Sequence, residues 1–333
     1  MNDSKTWRLF RRLAQGGFHS GEALARELGV SRAAVWKLKF ALEAMGVGIH
    51  AVRGRGYRID PPLELLDRDR LLRYAPDLRV EQLRIDTAVD STHLRLNAWL
   101  EQGDIESGCA CLAEYQAKGR GRRARSWHSP PGQNLYLSLY WRFESAPTVF
   151  TGLSLALGLA VAEVLEAWGV TQVGLKWPND VQVRGRKLAG LLVDLRSQGG
   201  GPADVLVGVG CNYHMQGQPD IGQPWTDLHR CLIGKAPGRN ECAGAFLQAL
   251  YACLRGYDPR RFPTVRQAWA RFDALDGKRV RVHVRDGECF EGVARGLAED
   301  GALRIEGDDG RIRAFASGEV SVRAAAGEPH VGL

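Results

Sequence analysis

The run Asn134–Phe143, NLYLSLYWRF, constrains the fold of this chain more than any other stretch. Leu135, Leu137, Leu139, Trp141 and Phe143 share one side of an extended backbone. Period-two alternation over that length predicts a strand whose apolar side must be covered, so the chain needs a sheet and a layer packed on it. The cover follows directly. From about Thr151 to Trp168 the sequence reads as a helix with Gly158 and several alanines, small residues that allow close approach to a sheet. Further on, VLVGVGCNY (205–213) reads as a buried strand ending in small residues. Strand and helix runs in this succession predict a central α+β domain of about 200 residues. The uncharged run 145–162 contains Pro147, Gly152 and Gly158 and is expected to be buried in the protein rather than in a membrane. With 44% hydrophobic and 25% charged residues the chain matches globular usage, which excludes disordered, fibrous and membrane classes. Arg8, Arg11 and Arg12 interrupt any apolar block near the start, so no signal peptide is read and the expected compartment is the cytoplasm. The seven cysteines show neither a disulfide framework nor paired metal-site spacing, and are expected to be reduced.

The net charge of +7 is unevenly placed: residues 1–60 hold eleven Lys or Arg against five Asp or Glu. A basic surplus confined to one small segment implies that this segment meets a polyanion. Its sequence fits. After a short helix over Thr6–Ala14 and a Gly16-Gly17 break, SGEALARELGVSRAAVWKLKFALEAMG reads as two helices joined at Gly29, the second capped by Ser31. In that second helix Val35, Leu38, Leu42 and Met45 share one face, which leaves Arg32, Ala33, Trp36, Lys37 and Lys39 pointing elsewhere. IHAV, RGRG and YRI then form a hairpin with Arg53 and Arg55 at its tip. This is the pattern of a winged helix-turn-helix, with Ser31, Arg32, Ala33, Trp36, Lys37, Arg53 and Arg55 as DNA-contacting candidates. A helical packing domain with a solvated basic face is the plainer alternative. Asp60-Pro61-Pro62 punctuates the chain and places a linker near Asp60 to Leu65, so the expected domains are 1–64, 65–273 and 274–325. In the last, short alternating strands separated by Asp-Gly at 276, 286, 300 and 309 predict a small β-barrel.

Three central stretches carry candidate chemistry. Ser91 and Thr92 in DSTHLRLNAWL stand at a helix start, as caps or as ligand hydroxyls. In YQAKGRGRRARSW (115–127), an extended chain would put Arg120 and Arg122 on the same side, while Gly119 and Gly121 allow an anion to approach the backbone. LKWPNDVQVRGRKLAGLLVD turns at Trp177–Asp180 and forms a hairpin joined at Arg184-Gly185, with Lys187 projecting from the return strand as a point charge. No GxxxxGK[ST] loop is present, and Gly208-Val209-Gly210 lacks the third glycine of a dinucleotide fold.

Taken in order, FHSGEALARELGVSRAAVWKL, GRGY, DST, AEYQAKGRGRRARSW, NLYLS, KWPND, GRKLAGLLVD and GVGCN resemble the bifunctional biotin protein ligase and biotin operon repressor family over nearly the whole chain. The resemblance implies an α+β multidomain architecture: an N-terminal winged helix-turn-helix, a central α/β ligase domain with a mixed sheet, and a C-terminal SH3-like β-barrel. It implies an ATP- and Mg2+-dependent ligase that makes biotinoyl-5'-AMP and biotinylates a lysine of the biotin carboxyl carrier protein of acetyl-CoA carboxylase. It also implies a repressor that binds the operator of biotin genes, as a homodimer when adenylate-bound. Biotin would be held by residues matching Ser91, Thr92, His93, Gln116, Arg120, Gly121, Arg122 and Lys187, and the nucleotide by Trp127, Asn179, Asn212 and Trp225. Arg120, Arg122 and Lys187 would carry catalysis, with Asp180 orienting the acceptor amine or the metal and no resident metal site in the protein. His93 departs from the family, whose members often have asparagine there. The competing expectations are a ligand-sensing repressor without ligase activity and a lipoate ligase of the same fold.

Overall fold

The computed structural model describes residues 4–144, 150, 152–197, 201–284, 288–316 and 320–324. The N-terminal unit is α1 (Lys5–Ala14), α2 (Gly21–Leu28), α3 (Arg32–Ala44) and a two-stranded wing, β1 (Ile49–Val52) and β2 (Gly56–Ile59). Its helices close over Leu9, Phe10, Leu13, Leu24, Leu28, Val35 and Leu42. The expected caps form: Ser31 Oγ accepts from the Ala34 amide at 3.2 Å, and Gly29 ends α2 in the left-handed region. Gly56 is compulsory, since a Cβ there would collide with the His19 carbonyl. One expectation fails: Lys39 is buried, because its ammonium turns back to pair with Glu43 at 2.8 Å.

The central unit runs α4 (Arg68–Leu72), β3 (Leu83–Val89), α5 (Thr92–Gln102), β4 (Ala110–Gln116), β5 (Asn134–Phe143), α6 (Leu153–Ala167), β6 (Val173–Lys176), β7 (Asp180–Val183), β8 (Arg186–Ser197), β9 (Ala203–Asn212), α7 (Leu228–Cys231), α8 (Arg239–Arg255) and α9 (Phe262–Ala270). Seven strands form one mixed sheet in the order β3-β4-β5-β9-β8-β7-β6, parallel only between β3 and β4. While α6, the expected cover, lies over β6, β7 and β8, the alternating face of β5 packs under α8. Its other face is not solvated: Tyr136, Ser138 and Tyr140 are buried too, because α5 lies across β4, β5 and β9 on that side. The helix expected from Thr151 begins at Leu153, and Thr151 lies outside the described residues.

The segment expected to be a linker is buckled to the central sheet. Arg239, fully buried, donates to Glu114 at 2.5 Å, to the Asn134 carbonyl at 2.8 Å and to the Glu64 carbonyl at 3.1 Å. Glu114 in turn accepts from the Leu66 amide at 2.6 Å. The C-terminal unit, β10 (Arg279–Val284), β11 (Cys289–Leu297), β12 (Leu303–Glu306), β13 (Ile312–Phe315) and β14 (Val320–Ala324), is an antiparallel sheet in the order β13-β12-β11-β10-β14. Asp300-Gly301 and Asp309-Gly310 make the expected turns, while Asp286-Gly287 lies outside the described residues. Trp177 Nε1 donates to the Gly301 carbonyl at 3.1 Å, joining this unit to the central one.

Candidate active site

On the α5 side of the sheet, β8 and β9 leave a floor without side chains. Gly190 and Gly210 face each other in register, with Gly208 one step along β9. A Cβ at Gly210 would collide with the Trp127 ring, and one at Gly208 would stand 3.1 Å from His93 Nδ1. Flat groups lie directly on the backbone here, which only glycine permits.

One end of this trough is lined by hydroxyl and amide groups. The Thr92 amide donates to Gln116 Oε1 at 2.8 Å, and the Thr92 hydroxyl meets Gln116 Oε1 at 3.2 Å and Ser138 Oγ at 2.9 Å. Gln116 Nε2 donates to Ser129 Oγ at 3.2 Å, and Ser129 donates to the Trp127 carbonyl at 3.0 Å. Ser91 sits at the cap position of α5 without making a side-chain cap bond. His93, on the same helix, is buried with Nε2 2.8 Å from Asp194 Oδ2. A carboxylate accepts only, so Nε2 carries a proton, and the other ring nitrogen, Nδ1, is an acceptor when the ring is neutral. That Nδ1 is buried and has no hydrogen-bond partner among the described residues. The His93 hydrogen bond holds the Asp194 carboxyl below the usual carboxylate range.

The other end is cationic. Lys187 Nζ lies 2.8 Å from Asp180 and 5.2 Å from the Trp127 ring centroid, so the expected point charge is already partnered. Arg122 Nη1 donates to Asn179 Oδ1 at 3.2 Å, and the Asn179 side-chain amide donates to the Leu191 carbonyl at 2.6 Å. Burial, reinforced by the neighbouring Arg123, lowers the Arg122 guanidinium from its ordinary pKa. The chain is extended at Gly121 and turns after Arg122: the Gly121 amide donates to the Arg125 carbonyl at 2.7 Å and Arg123 is left-handed, with φ 57°. Arg120 is exposed and Arg122 is half-buried. Asn212 and Trp225 close this end. The Asn212 side-chain amide donates to the Thr226 carbonyl at 3.0 Å, and Trp225 is buried beneath Arg230, whose guanidinium lies 4.6 Å from its ring. Ser138, Ser129, Asp194 and the glycine floor went unread in the sequence. Ser138, a hydroxyl inside an apolar run, was the available signal.

The loop after β9 also touches the winged helix. The Gly48 amide donates to Gln216 Oε1 at 2.8 Å, the Gln216 amide donates to Gln133 Oε1 at 2.8 Å, and Gln133 Nε2 donates to the Gly46 carbonyl at 2.6 Å. Elsewhere on that unit, Ser31 caps α3 and Arg32, Ala33, Trp36 and Lys37 lie in its first turns; all five are exposed, as are Arg53 and Arg55 on the wing turn. The Arg55 guanidinium rests 4.2 Å from the Phe18 ring.

Among the described residues no helix is long and apolar enough to cross a membrane. Residues 87–212 match the biotin/lipoate A/B protein ligase family, 277–323 the biotin protein ligase C terminal domain, and 8–58 an HTH domain. The bifunctional ligase/repressor BirA of Salmonella typhimurium is 40% identical over 94% of this chain and 96% of its own length. That of Escherichia coli is 38% identical over 96% and 97%. A biotin protein ligase from Aquifex aeolicus, solved in complex with biotin and ATP, superposes with a TM-score of 0.63 at 30% identity, covering 73% of this chain and 99% of that one.

Proposed function

We infer the work of each residue from the premise that this chain belongs to the biotin protein ligase family, as ligase and repressor in one polypeptide. It is an ATP-dependent, AMP-forming ligase acting on biotin. The observation that supports the site assignment is the trough itself, neutral hydroxyl and amide groups at one end and cations at the other, over a glycine floor. Biotin has the same polarity, a ureido ring at one end and a carboxylate at the other.

Ser91, Thr92, His93 and Gln116 receive the ureido ring, with the free lone pair on His93 Nδ1 as an acceptor for an N–H. Arg120, Gly121, Arg122 and Lys187 surround the carboxylate and the α-phosphate. A carboxylate oxygen attacks the α-phosphorus of MgATP, the bond to pyrophosphate breaks, and biotinoyl-5'-AMP remains. Two anions must approach each other for this, so Arg122 and Lys187 lower the barrier by meeting the charge that builds between them. Asp180 acts through Lys187, fixing where its ammonium sits, and faces the incoming amine in the second step. There a lysine amine of the biotin carboxyl carrier protein attacks the anhydride carbonyl, gives up a proton, and AMP leaves. Asn179 steadies Arg122, Asn212 ties the Lys187 and Thr226 backbones together, and Trp225, once Arg230 moves off its ring, offers the adenine a stacking face. Trp127 covers the floor and must move off it before a ligand lies there, which makes residues 115–127 a lid that later excludes water from the anhydride.

The functional units run 1–64, 65–273 and 274–325, the last closing as an SH3-like barrel. The adenylate acts as corepressor, favouring a homodimer whose two winged helices span an inverted-repeat operator, in the cytoplasm. The Gln216 hydrogen bond supports this, because the loop beside the nucleotide end reaches the winged helix directly.

Biotin-dependent exchange of labelled pyrophosphate into ATP tests the chemistry. Exchange that needs biotin and ignores lipoate is expected, and Arg122→Ala should slow it roughly 30- to 1,000-fold, the loss of about 2 to 4 kcal/mol from one preorganised donor. A folded, biotin-binding protein without exchange would make the chain a sensor without ligase chemistry. Sedimentation with and without biotin plus MgATP tests the dimer, which should appear only in the loaded protein.

A further inference from the structure

Helix α3 carries two large exposed aromatics on the face that points away from its core: Trp36 is 53% and Phe40 46% exposed. They stand edge to face with ring centroids 4.2 Å apart. The pair is braced from below. Lys39 is turned inward, paired with Glu43 at 2.8 Å, and its ammonium sits 4.4 Å from the Phe40 ring. Two aromatics left in water on a helix of thirteen residues, held in one arrangement, form an apolar step and not a disordered fringe.

What surrounds the step identifies what it meets. Arg32 and Lys37 are exposed on the same stretch, no Asp or Glu occurs between Ser31 and Leu42, and Arg53 and Arg55 stand exposed on the wing. Arg32 and the wing adjoin one surface, since a Cβ on Gly21 would lie 4.0 Å from Arg32 Nε and 3.5 Å from Tyr57 in β2. A partner for this face must be an anion with an apolar patch between its charges. Duplex DNA is such a partner: phosphates flank a major groove whose one apolar group on the base edges is the C5 methyl of thymine.

We propose that Trp36 and Phe40 are specificity-determining residues that read thymine methyl groups in the major groove, while Arg32, Lys37, Arg53 and Arg55 hold the phosphates. The inference rests on the repressor reading of the winged helix and adds to it a chemical preference. The aromatic step discriminates by burying a methyl, a contribution independent of salt, whereas the cations add a salt-dependent and sequence-neutral one.

The test uses the full chain with biotin and MgATP. Duplexes are selected from a random library, and each thymine of the recovered site is replaced in turn by deoxyuridine, which lacks only the methyl. Wild type is expected to bind about fourfold more weakly when uracil occupies one or two positions of each half-site, the worth of one methyl group removed from water. Trp36→Asn and Phe40→Ala should lose that uracil penalty while keeping the wild-type salt slope and thermal unfolding midpoint. A recovered site at which no thymine-to-uracil change matters, or a penalty that persists in both variants, overturns the proposal. So does a change in self-association of the variants without DNA, which would make the step a protein-docking face. Recovery of no duplex at all would sink the repressor reading itself, a result distinguishable from the others.

Discussion

The central sheet and the winged helix treat charge in opposite ways. In the centre, cations are withdrawn from water and partnered: Arg239 with Glu114 at 2.5 Å, Lys187 with Asp180 at 2.8 Å, Arg122 with Asn179 at 3.2 Å. On the winged helix Arg32, Lys37, Arg53 and Arg55 are exposed and form no ion pair among the described residues. A buried, partnered cation keeps a fixed position and is hard to disturb. An exposed one is free to follow a phosphate and is screened by salt. The difference suits a small rigid ligand in one place and a long polyanion in the other.

The contrast is put under most strain at Arg239. Arg239→Ala leaves Glu114 buried without its cation and releases the segment at Glu64, so a loss of about 3 to 5 kcal/mol is expected in denaturant unfolding. A loss below about 1 kcal/mol would place this pair in the same class as the surface ones.

Asp273 sharpens the same point from the other side. Its Oδ1 accepts from the Leu275 amide at 2.8 Å, but Oδ2 is buried without a hydrogen bond among the described residues, and burial pushes its pKa up to about 6. The folded state therefore binds a proton more tightly than the unfolded chain, whose carboxyl titrates near 4. Between about pH 4 and 6 this group makes stability fall as pH rises, and above that window the folded state is disfavoured by at most about 2 to 3 kcal/mol. Asp273→Asn should flatten that part of the profile and raise the melting temperature at pH 7.5 more than at pH 4.5. Equal shifts at both values would show that the carboxyl ionises unperturbed.

On the exposed side the expected effects are smaller and of a different kind. Arg53→Ala together with Arg55→Ala should leave thermal stability nearly unchanged. The salt dependence of DNA binding should become shallower by about one unit of slope for each phosphate that the variant no longer neutralises. Titrations at several salt concentrations measure this, and an unchanged slope would remove the wing from the interface. The smallest change is expected from Gln216→Ala, which deletes one neutral hydrogen bond between the two regions, worth about 1 kcal/mol. Its mark is narrower: the gap in DNA affinity between adenylate-loaded and unloaded protein should shrink. A gap of wild-type size would show that this hydrogen bond is bystander packing.

Where periodicity or turn chemistry acts locally, the sequence was legible. The alternation in β5, the Ser31 cap, the Gly29 stop and the Arg184-Gly185 hairpin turn all appear where those residues require them. What escaped depends on partners beyond the local pattern. Lys39 looked solvent-facing by helical spacing, but Glu43 one turn on gave it a reason to fold back. The Asp60-Pro61-Pro62 punctuation suggested a free linker, and only Arg239, far along the chain, reveals that it is clamped. In the site, the turn that follows Arg122 through a left-handed Arg123 could not be read from the Gly-Arg spacing. The glycine floor is invisible to motif spacing, since Gly190 and Gly210 meet only through the β8–β9 register.

The bridge from Gly46 and Gly48 through Gln133 and Gln216 also has a thermodynamic consequence. Coupling between two binding sites is reciprocal: if a bound adenylate raises the affinity for operator by some factor, bound operator raises the affinity for the adenylate by that same factor. A repressor sitting on its site would then bind its activated intermediate more tightly than free enzyme does. In that arrangement DNA is itself an effector of the ligase, and the two activities compete for one pool of adenylate within a single chain.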